Sequence, residues 1–157
     1  MKLQKIVSHL QKLHPKEIDL SLNRINILCE KLGNPQEKIK AISVVGTNGK
    51  QSTINAIFSI LKEAKVKCNV YTSPHIQKIN ERFVFNNEML NDDELIDLFE
   101  EVEKINDQNP LTFFEALSAC YFYKAAQYPN NINLIEAGLF HRFDATNILK
   151  NNLASIV

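Results

Sequence analysis

The chain has little of what builds a disulfide framework or a zinc site. It contains 157 residues but only three cysteines, Cys29, Cys68 and Cys120, and no two of them form a Cys-x-x-Cys pair. Widely spaced single cysteines argue against a disulfide-stapled fold and against a cysteine-ligated zinc centre. They favour a reducing compartment, and we therefore expect a cytoplasmic protein.

Long apolar runs and an excess of one charge are also missing. No apolar segment approaches the length of a membrane span, and the amino-terminal segment has no signal-peptide core. Lysine and arginine together number 18, as do aspartate and glutamate, while 45% of the residues are hydrophobic. We therefore expect one compact domain that binds neither nucleic acid nor a membrane.

What the sequence does contain is a regular alternation of apolar patterns. Spacings of three and four residues predict helices, whereas short apolar runs bounded by turn residues predict buried strands. Strands that alternate with helices are typical of an α/β fold with a mainly parallel sheet and flanking helices. The predicted helices are 1–13, 22–32 after an N-cap at Ser21, one that follows Lys50, one that starts at the capping box 91–94, and 113–127 after a second capping box formed by Thr112 and Glu115. The predicted strands are 42–45, 67–72, 133–136 and one from 153, with a hairpin at 82–90.

The most informative segment lies between the first predicted strand and the helix that follows it. A glycine turn that ends in a lysine at the head of a helix presents backbone N–H groups, the positive helix end and a full charge to an anion. The strict P-loop pattern is not met, because its first glycine falls on Val44 and Gln51 follows the lysine. A plain strand-to-helix turn is the alternative. The candidate phosphate-binding residues are Gly46, Thr47, Asn48, Gly49, Lys50, Ser52 and Thr53.

Glu136 stands at the carboxyl end of a predicted strand. Ligands gather at this end of the strands in open α/β sheets. A carboxylate there suits Mg²⁺, which prefers oxygen ligands and bridges phosphates. The alternative is a solvated acid at a strand end.

Five segments, in order along the chain, resemble the folylpolyglutamate synthase and dihydrofolate synthase family of the Mur ligase superfamily. An ordered set of five matches is far more specific than any one of them. The resemblance implies an ATP-binding domain of Mur ligase type. The segments are LNRINILCEKLGNPQ (22–36), VVGTNGKQST (44–53), YTSPHIQKINERF (71–83), LTFFEALSACYFY (111–123) and NLIEAGLFHRFDATN (133–147).

The resemblance implies roles for individual residues. It makes Lys50 the contact to the ATP phosphates, with Ser52 and Thr53 near the same oxygens. It makes Ser73 and Glu136 ligands of Mg²⁺. It gives a possible substrate-side role to Asn80, Glu81 and Arg82, for which the structural alternative is a polar hairpin flank. It gives the same role to Asp144, Thr146 and Asn147, for which the structural alternative is helix capping. His75 also has a histidine match, without a proton-transfer role.

The resemblance also implies a reaction. In this family ATP phosphorylates the carboxylate of dihydropteroate or of a folate, and the amino group of L-glutamate then displaces phosphate to form an amide. The chemistry is mostly positioning and charge stabilisation. The implied ligands are ATP, Mg²⁺, folate or dihydropteroate, and L-glutamate, which would place the protein in folate and one-carbon metabolism.

Three departures from the family pattern bear on activity. Gln51 stands where the family has glycine, and its side chain would crowd the phosphates. Phe140 and His141 replace a glycine pair, which would cost about 1–3 kcal/mol each if the positions need positive φ. Family members are more than twice as long, so residues 1–157 are expected to form a truncated, incomplete ATP-binding domain without the C-terminal glutamate-ligase domain.

Two hypotheses follow from these departures. In the first, the protein is an ATP-dependent ligase whose missing part comes from a complementing chain or from self-association through the exposed last strand. In the second, it is an inactive remnant, with or without nucleotide binding. An unrelated P-loop kinase or GTPase ranks last, because it accounts only for the first motif.

Overall fold

A six-stranded sheet organises the chain in the computed structural model, which describes residues 2–14, 21–138 and 141–157. Its strand order is β4-β3-β2-β5-β1-β6. The four strands β2, β5, β1 and β6 run parallel, and a short antiparallel hairpin, β3-β4, extends the sheet beyond β2. The strands are β1 Lys40–Val44, β2 Cys68–Tyr71, β3 Phe83–Phe85, β4 Glu88–Met89, β5 Ile132–Glu136 and β6 Asn152–Ile156.

Five α-helices accompany this sheet within the described ranges: α1 Lys2–Leu13, α2 Asn23–Lys31, α3 Lys50–Glu63, α4 Asp92–Asn106 and α5 Phe113–Ala125. The predicted mainly parallel α/β fold is therefore confirmed. The capping boxes predicted at the starts of α4 and α5 are also confirmed. None of the helices in the described part of the chain combines the length and apolar character that crossing a membrane requires.

Some predicted boundaries are wrong by a few residues. The first strand starts at Lys40 because that residue already pairs with Ile132 in β5. Helix α5 ends at Ala125 and not at 127. The predicted N-cap of α2 is also wrong, because Leu22 takes that position without a side-chain cap, and the Ser21 hydroxyl accepts from the N–H of Asn23 at 3.2 Å.

The sheet separates two cores of unequal size. The larger core contains α2, α4 and α5 and the strand residues Ala41, Tyr71 and Ile135. The neighbouring strand residues Val44, Val70 and Leu134 face the other way and pack on α3. Because side chains alternate along a strand, this division follows from the apolar residues at successive strand positions.

Three segments meet at one edge of the sheet because β1, β2 and β5 are parallel. The carboxyl ends of these strands lead into the β1–α3 loop (residues 45–49), into the β2–β3 loop (residues 72–82) and to Glu136, respectively. Glu136 pairs with Val44 and lies two positions after Leu134, so its side chain is on the α3 face of the sheet. The fold thus collects the predicted site residues at the edge where α/β sheets bind ligands.

Candidate functional site

The β1–α3 loop has a backbone that depends on its two glycines. Gly46 has a φ of 148° and Gly49 a φ of 79°, and side-chain-bearing residues rarely adopt either conformation. Gly49 is the N-cap of α3, and no side chain caps that helix. The absence of a side-chain cap leaves the first turn of the helix without the acceptor that a serine or aspartate would supply.

The N–H groups of this loop are left open. Within the described residues, no oxygen accepts from the backbone N–H groups from Gly46 to Ser52, and the first such bond runs from the N–H of Thr53 to the carbonyl of Gly49 at 2.9 Å. Buried or clustered N–H groups normally find acceptors. A run of open N–H groups at a helix start is the geometry that binds phosphate.

Lys50 and Glu136 face each other beside this loop. The Lys50 Nζ donates to the Gly46 carbonyl at 2.9 Å and lies 3.8 Å from Glu136 Oε1. The other carboxylate oxygen, Oε2, accepts from the backbone N–H of Ser73 at 2.9 Å. The structure therefore brings together Lys50, Glu136 and Ser73, which the sequence assigned to one site from three distant segments.

Burial changes the ionisation of Glu136. The residue is 4% exposed, and loss of hydration raises its carboxyl pKa above the ordinary range. The Ser73 N–H, Lys50 and Arg82 act in the opposite direction and stabilise the charged form. A buried carboxylate held between two cations is a group whose charge a bound cation would further stabilise.

The donor set fits Mg²⁺ bound together with phosphates. Glu136 Oε1 and the Ser73 hydroxyl make no hydrogen bond within the described chain, so both oxygens are available as ligands. No group of three histidine, cysteine, aspartate or glutamate side chains capable of holding a metal exists among the described residues. Mg²⁺ does not need one, because it usually binds one or two protein oxygens and completes its shell with water and phosphate.

The β2–β3 loop is held by its own acid. The Glu81 carboxylate accepts from the backbone N–H groups of Ile76, Gln77 and Lys78 at 2.8, 2.9 and 2.8 Å. These bonds lower the pKa of the Glu81 carboxyl below its ordinary value. The carboxylate is thus committed to the loop backbone, which is the structural alternative for this predicted site residue.

Arg82 and His75 form a pair in the same loop. The Nε of Arg82 donates to the Nδ1 of His75 at 2.9 Å. Arg82 is 9% exposed, and burial lowers its pKa while the nearby Tyr71 and Glu136 raise it. Sequence reasoning gave these two residues no contact, since a spacing of seven residues in a loop carries no such signal.

Asn80 and Asn147 make local structural contacts. The buried Asn80 donates from Nδ2 to the Leu90 carbonyl at 3.1 Å and to Asp92 Oδ1 at 3.0 Å, and so ties the hairpin to α4. The exposed Asn147 donates to the Arg142 carbonyl at 3.2 Å. A substrate-side role for either residue stays a prediction.

Asp144 begins a short 3-10 helix, Ala145–Ile148, as its N-cap. Its Oδ1 accepts from the N–H and the hydroxyl of Thr146. A Cβ added to Gly138 would lie 2.3 Å from Asp144 Oδ2 and 3.5 Å from Phe114 Cε1. Close packing of Gly138 against Asp144 and Phe114 was not predicted, because it depends on a contact between distant segments.

The structure bears on the predicted effect of Gln51 but not on that of Phe140 and His141. Gln51 lies in the first turn of α3, exposed and without a positive φ, so the residue itself causes no backbone strain. Its effect on bound phosphate stays a prediction. Phe140 and the side chain of His141 lie outside the described residues, and so does any strain assigned to them.

Comparison with curated proteins gives matches over nearly the whole chain. No family model matches. The Escherichia coli dihydrofolate synthase/folylpolyglutamate synthase is 36% identical over 152 residues, which cover 96% of this chain and 36% of that protein. The protein of the same description from Haemophilus influenzae is 38% identical over 152 residues, covering 96% of this chain and 34% of its own length. This chain thus spans about a third of the relatives it matches.

Solved structures agree with the sequence matches. Escherichia coli FolC in complex with DHPP and ADP superposes with a TM-score of 0.86 at 34% identity, over 94% of this chain and 36% of that one. The bifunctional folylpolyglutamate synthase/dihydrofolate synthase from Yersinia pestis, complexed with AMPPNP and Mn ion, gives 0.88 at 31% identity, over 98% and 38%. By sequence and by fold, this chain belongs to the dihydrofolate synthase/folylpolyglutamate synthase family of the Mur ligase superfamily.

Proposed function

We propose that this chain binds MgATP at the β1–α3 loop and is the ATP-binding domain, residues 1–157, of a cytoplasmic ligase that adds L-glutamate to folate or dihydropteroate. The observation that carries the proposal is the run of open N–H groups from Gly46 to Ser52, with Lys50 beside it. The relatives solved with ADP or AMPPNP support the nucleotide, and the one solved with Mn ion supports a divalent cation.

Each part of the site has a separate task in this proposal. The loop N–H groups bind phosphate oxygens, and Lys50 leaves the Gly46 carbonyl to add its full charge. Glu136 and Ser73 would hold Mg²⁺, which when bound neutralises phosphate charge and orients the transferred group. The Ser73 N–H keeps the Glu136 carboxylate in place at 2.9 Å.

Calorimetric titration with MgATP tests this proposal. The wild-type chain should show saturable binding, and Lys50→Ala should weaken it roughly tenfold to a hundredfold, because a hydrogen bond to a charged group contributes about 1.5–3 kcal/mol. Lys62→Ala is a matched control, since this lysine lies in the last turn of α3, far along the helix from the loop. A folded wild-type chain that does not bind MgATP, or equal effects of the two variants, would contradict the proposal.

The inactive remnant is the second candidate, and Gln51 is the observation that favours it. The residue lies in the first turn of α3, within the run of open N–H groups. An assay of ADP release with dihydropteroate and L-glutamate tests for the ligase, because release that requires both substrates excludes the remnant. MgATP binding by Gln51→Ala but not by the wild-type chain supports the remnant.

A further inference from the structure

We propose that Lys50 is an internal counterion that keeps a free divalent cation away from Glu136 until a nucleotide phosphate draws the lysine to itself. This inference rests on the proposed function, because it takes Glu136 to be a metal ligand and the β1–α3 loop to be the phosphate site. It adds a regulation of that site, in which the metal binds well only together with the nucleotide.

The two carboxylate oxygens of Glu136 have different partners. Oε2 accepts from the backbone N–H of Ser73 at 2.9 Å, and this bond fixes the orientation of the carboxylate. Oε1 accepts no hydrogen bond within the described chain, and the Lys50 Nζ lies 3.8 Å from it. The same Oε1 is the oxygen that the proposed function assigns to the metal, so the lysine and the metal compete for one atom.

The β1–α3 loop holds the lysine in this position. Lys50 is the first residue of α3, and helical side chains point back toward the helix N-terminus. A Cβ added to Gly46 would lie 3.9 Å from the Lys50 Cγ, so the stem of the lysine passes close to this glycine. The Nζ then donates to the Gly46 carbonyl at 2.9 Å. The ammonium group is therefore tied to the loop beside Glu136.

Burial makes this competition effective. Only 5% of the Glu136 side chain and 18% of the Lys50 side chain are exposed. Charges that are largely removed from water interact more strongly than charges on an open surface. A divalent cation at Oε1 would be repelled by the ammonium group or would have to displace it from the Gly46 carbonyl. Either event lowers the affinity of the empty site for the free metal.

Phosphate offers Lys50 a better acceptor than the one it has. In the present position the Nζ bonds to a neutral carbonyl, and its 3.8 Å separation from the carboxylate is longer than a hydrogen bond. Phosphate oxygens at the open N–H groups of the loop would be charged acceptors, which form stronger bonds. A lysine that moves to them leaves Oε1 of Glu136 to the metal. Nucleotide and metal then raise each other's affinity by the same factor.

Titration with Mn²⁺ in the absence of nucleotide tests the competition, because this paramagnetic ion broadens the amide signals of residues close to it. Lys50→Met removes the charge and keeps an unbranched side chain. It should lower the Mn²⁺ concentration that half-broadens the Ser73 amide signal by about tenfold or more relative to the wild type. Lys50→Arg keeps the charge and should not gain this affinity.

Three further variants separate the charge of Lys50 from other causes. Lys62→Met removes a lysine from the last turn of the same helix and should leave the Mn²⁺ titration unchanged. Lys50→Gln keeps a donor for the Gly46 carbonyl without the charge. It should gain affinity as Lys50→Met does, and it replaces that variant should the latter not fold. Glu136→Gln combined with Lys50→Met should abolish the gain, because the carboxylate ligand is then missing.

Metal-free ATP in the presence of a chelator tests the release of the lysine. The signal of the Lys50 ε-methylene group should shift together with the amide signals of the β1–α3 loop. Loop amides that shift while the lysine signal stays in place would overturn the release.

The failures of this inference and of the proposed function can be told apart. Equal Mn²⁺ affinity in wild type, Lys50→Met and Lys50→Gln would overturn the inference, and so would a gain that survives Glu136→Gln. The MgATP titration of the wild-type chain reports separately on the proposed function. Saturable MgATP binding without a Mn²⁺ gain in the Lys50 variants would leave the proposed function standing and remove the counterion role of the lysine.

Discussion

Two loops at the same edge of the sheet differ in whether their backbone N–H groups have an acceptor within the described chain. In the β1–α3 loop the N–H groups from Gly46 to Ser52 have no acceptor within the described chain. In the β2–β3 loop three consecutive N–H groups, from Ile76 to Lys78, all donate to the carboxylate of Glu81. Only the second loop contains an anionic group that accepts from its N–H groups.

The difference indicates which of the two loops can accept an external anion and which is ordered by its own side chain. A loop whose N–H groups are satisfied by its own side chain is ordered without a ligand, and it can hold His75 and Arg82 in place. A loop with open, largely exposed N–H groups donates to water until an anion takes the place of that water. Under the proposed function, phosphate therefore binds at the β1–α3 loop, whereas the N–H groups of the β2–β3 loop already have an internal acceptor.

The largest expected change comes from removing the Glu81 carboxylate from the β2–β3 loop. Glu81→Ala leaves three N–H groups without their acceptor at once, so the loop should lose order and become an open anion site. Backbone amide signals of Ile76, Gln77 and Lys78 should then respond to inorganic phosphate, which they should not do in the wild type. Amides that respond to phosphate in neither protein would contradict the view that Glu81 stands in for a bound anion.

The pH dependence of stability tests whether the charged Glu81 carboxylate stabilises the β2–β3 loop. Because the hydrogen bonds lower the folded pKa of Glu81, its contribution to stability is complete above the unfolded value of about 4.3 and is lost as pH falls through the folded pKa. Urea midpoints of wild type and Glu81→Gln should therefore differ at pH 7 and converge in acid. A difference that persists unchanged at pH 2 would place the effect outside the carboxylate.

A smaller change is expected from the backbone of the open loop. Gly49→Ala forces a side chain into a φ of 79°, which costs about 1–2 kcal/mol, although the new Cβ would meet no atom within 4 Å. Gly49→Asn is the matched control, because asparagine adopts positive φ in this chain at Asn86 and Asn87. Free energies of unfolding should rank wild type, then Asn, then Ala; equal values for Asn and Ala would remove backbone strain as the cause.

The smallest expected effect is that of Gln51. If its side chain crowds the phosphates, Gln51→Ala should tighten MgATP binding by a few-fold, while the unfolding free energy changes by only a few tenths of a kcal/mol, since alanine and glutamine both favour helices. Gln51→Glu tests the charge at the same position and should weaken binding. Unchanged affinity in Gln51→Ala would show that the side chain turns away from the nucleotide.

The fold was largely predictable because its signals are local. Apolar residues spaced three and four apart indicate the helices, and short apolar runs indicate the strands. The residues that follow each predicted strand can then be placed at its carboxyl end. The capping boxes at Asn91 and Thr112 were readable for the same reason, since cap and third residue lie within one turn. Boundaries such as Lys40 in β1 depend on pairing with β5 and were therefore missed.

The site was predictable in composition but not in contacts. Lys50, Ser73 and Glu136 were identified from three segments, partly by resemblance, and the parallel strands bring them to one edge. The use of Glu81 as the internal anion of its loop has no sequence signal, since an acid near a hairpin is usually solvated. The Arg82–His75 bond is likewise set by how the loop folds back.

A titration of the isotopically labelled chain with MgATP, followed by amide signals, tests the central claim most directly. The account predicts that signals from Gly46 to Ser52 shift with saturation, whereas those from Ile76 to Lys78 move little, because Glu81 already occupies their N–H groups. Shifts of equal size in the two loops, or a β1–α3 loop that does not respond, would contradict it.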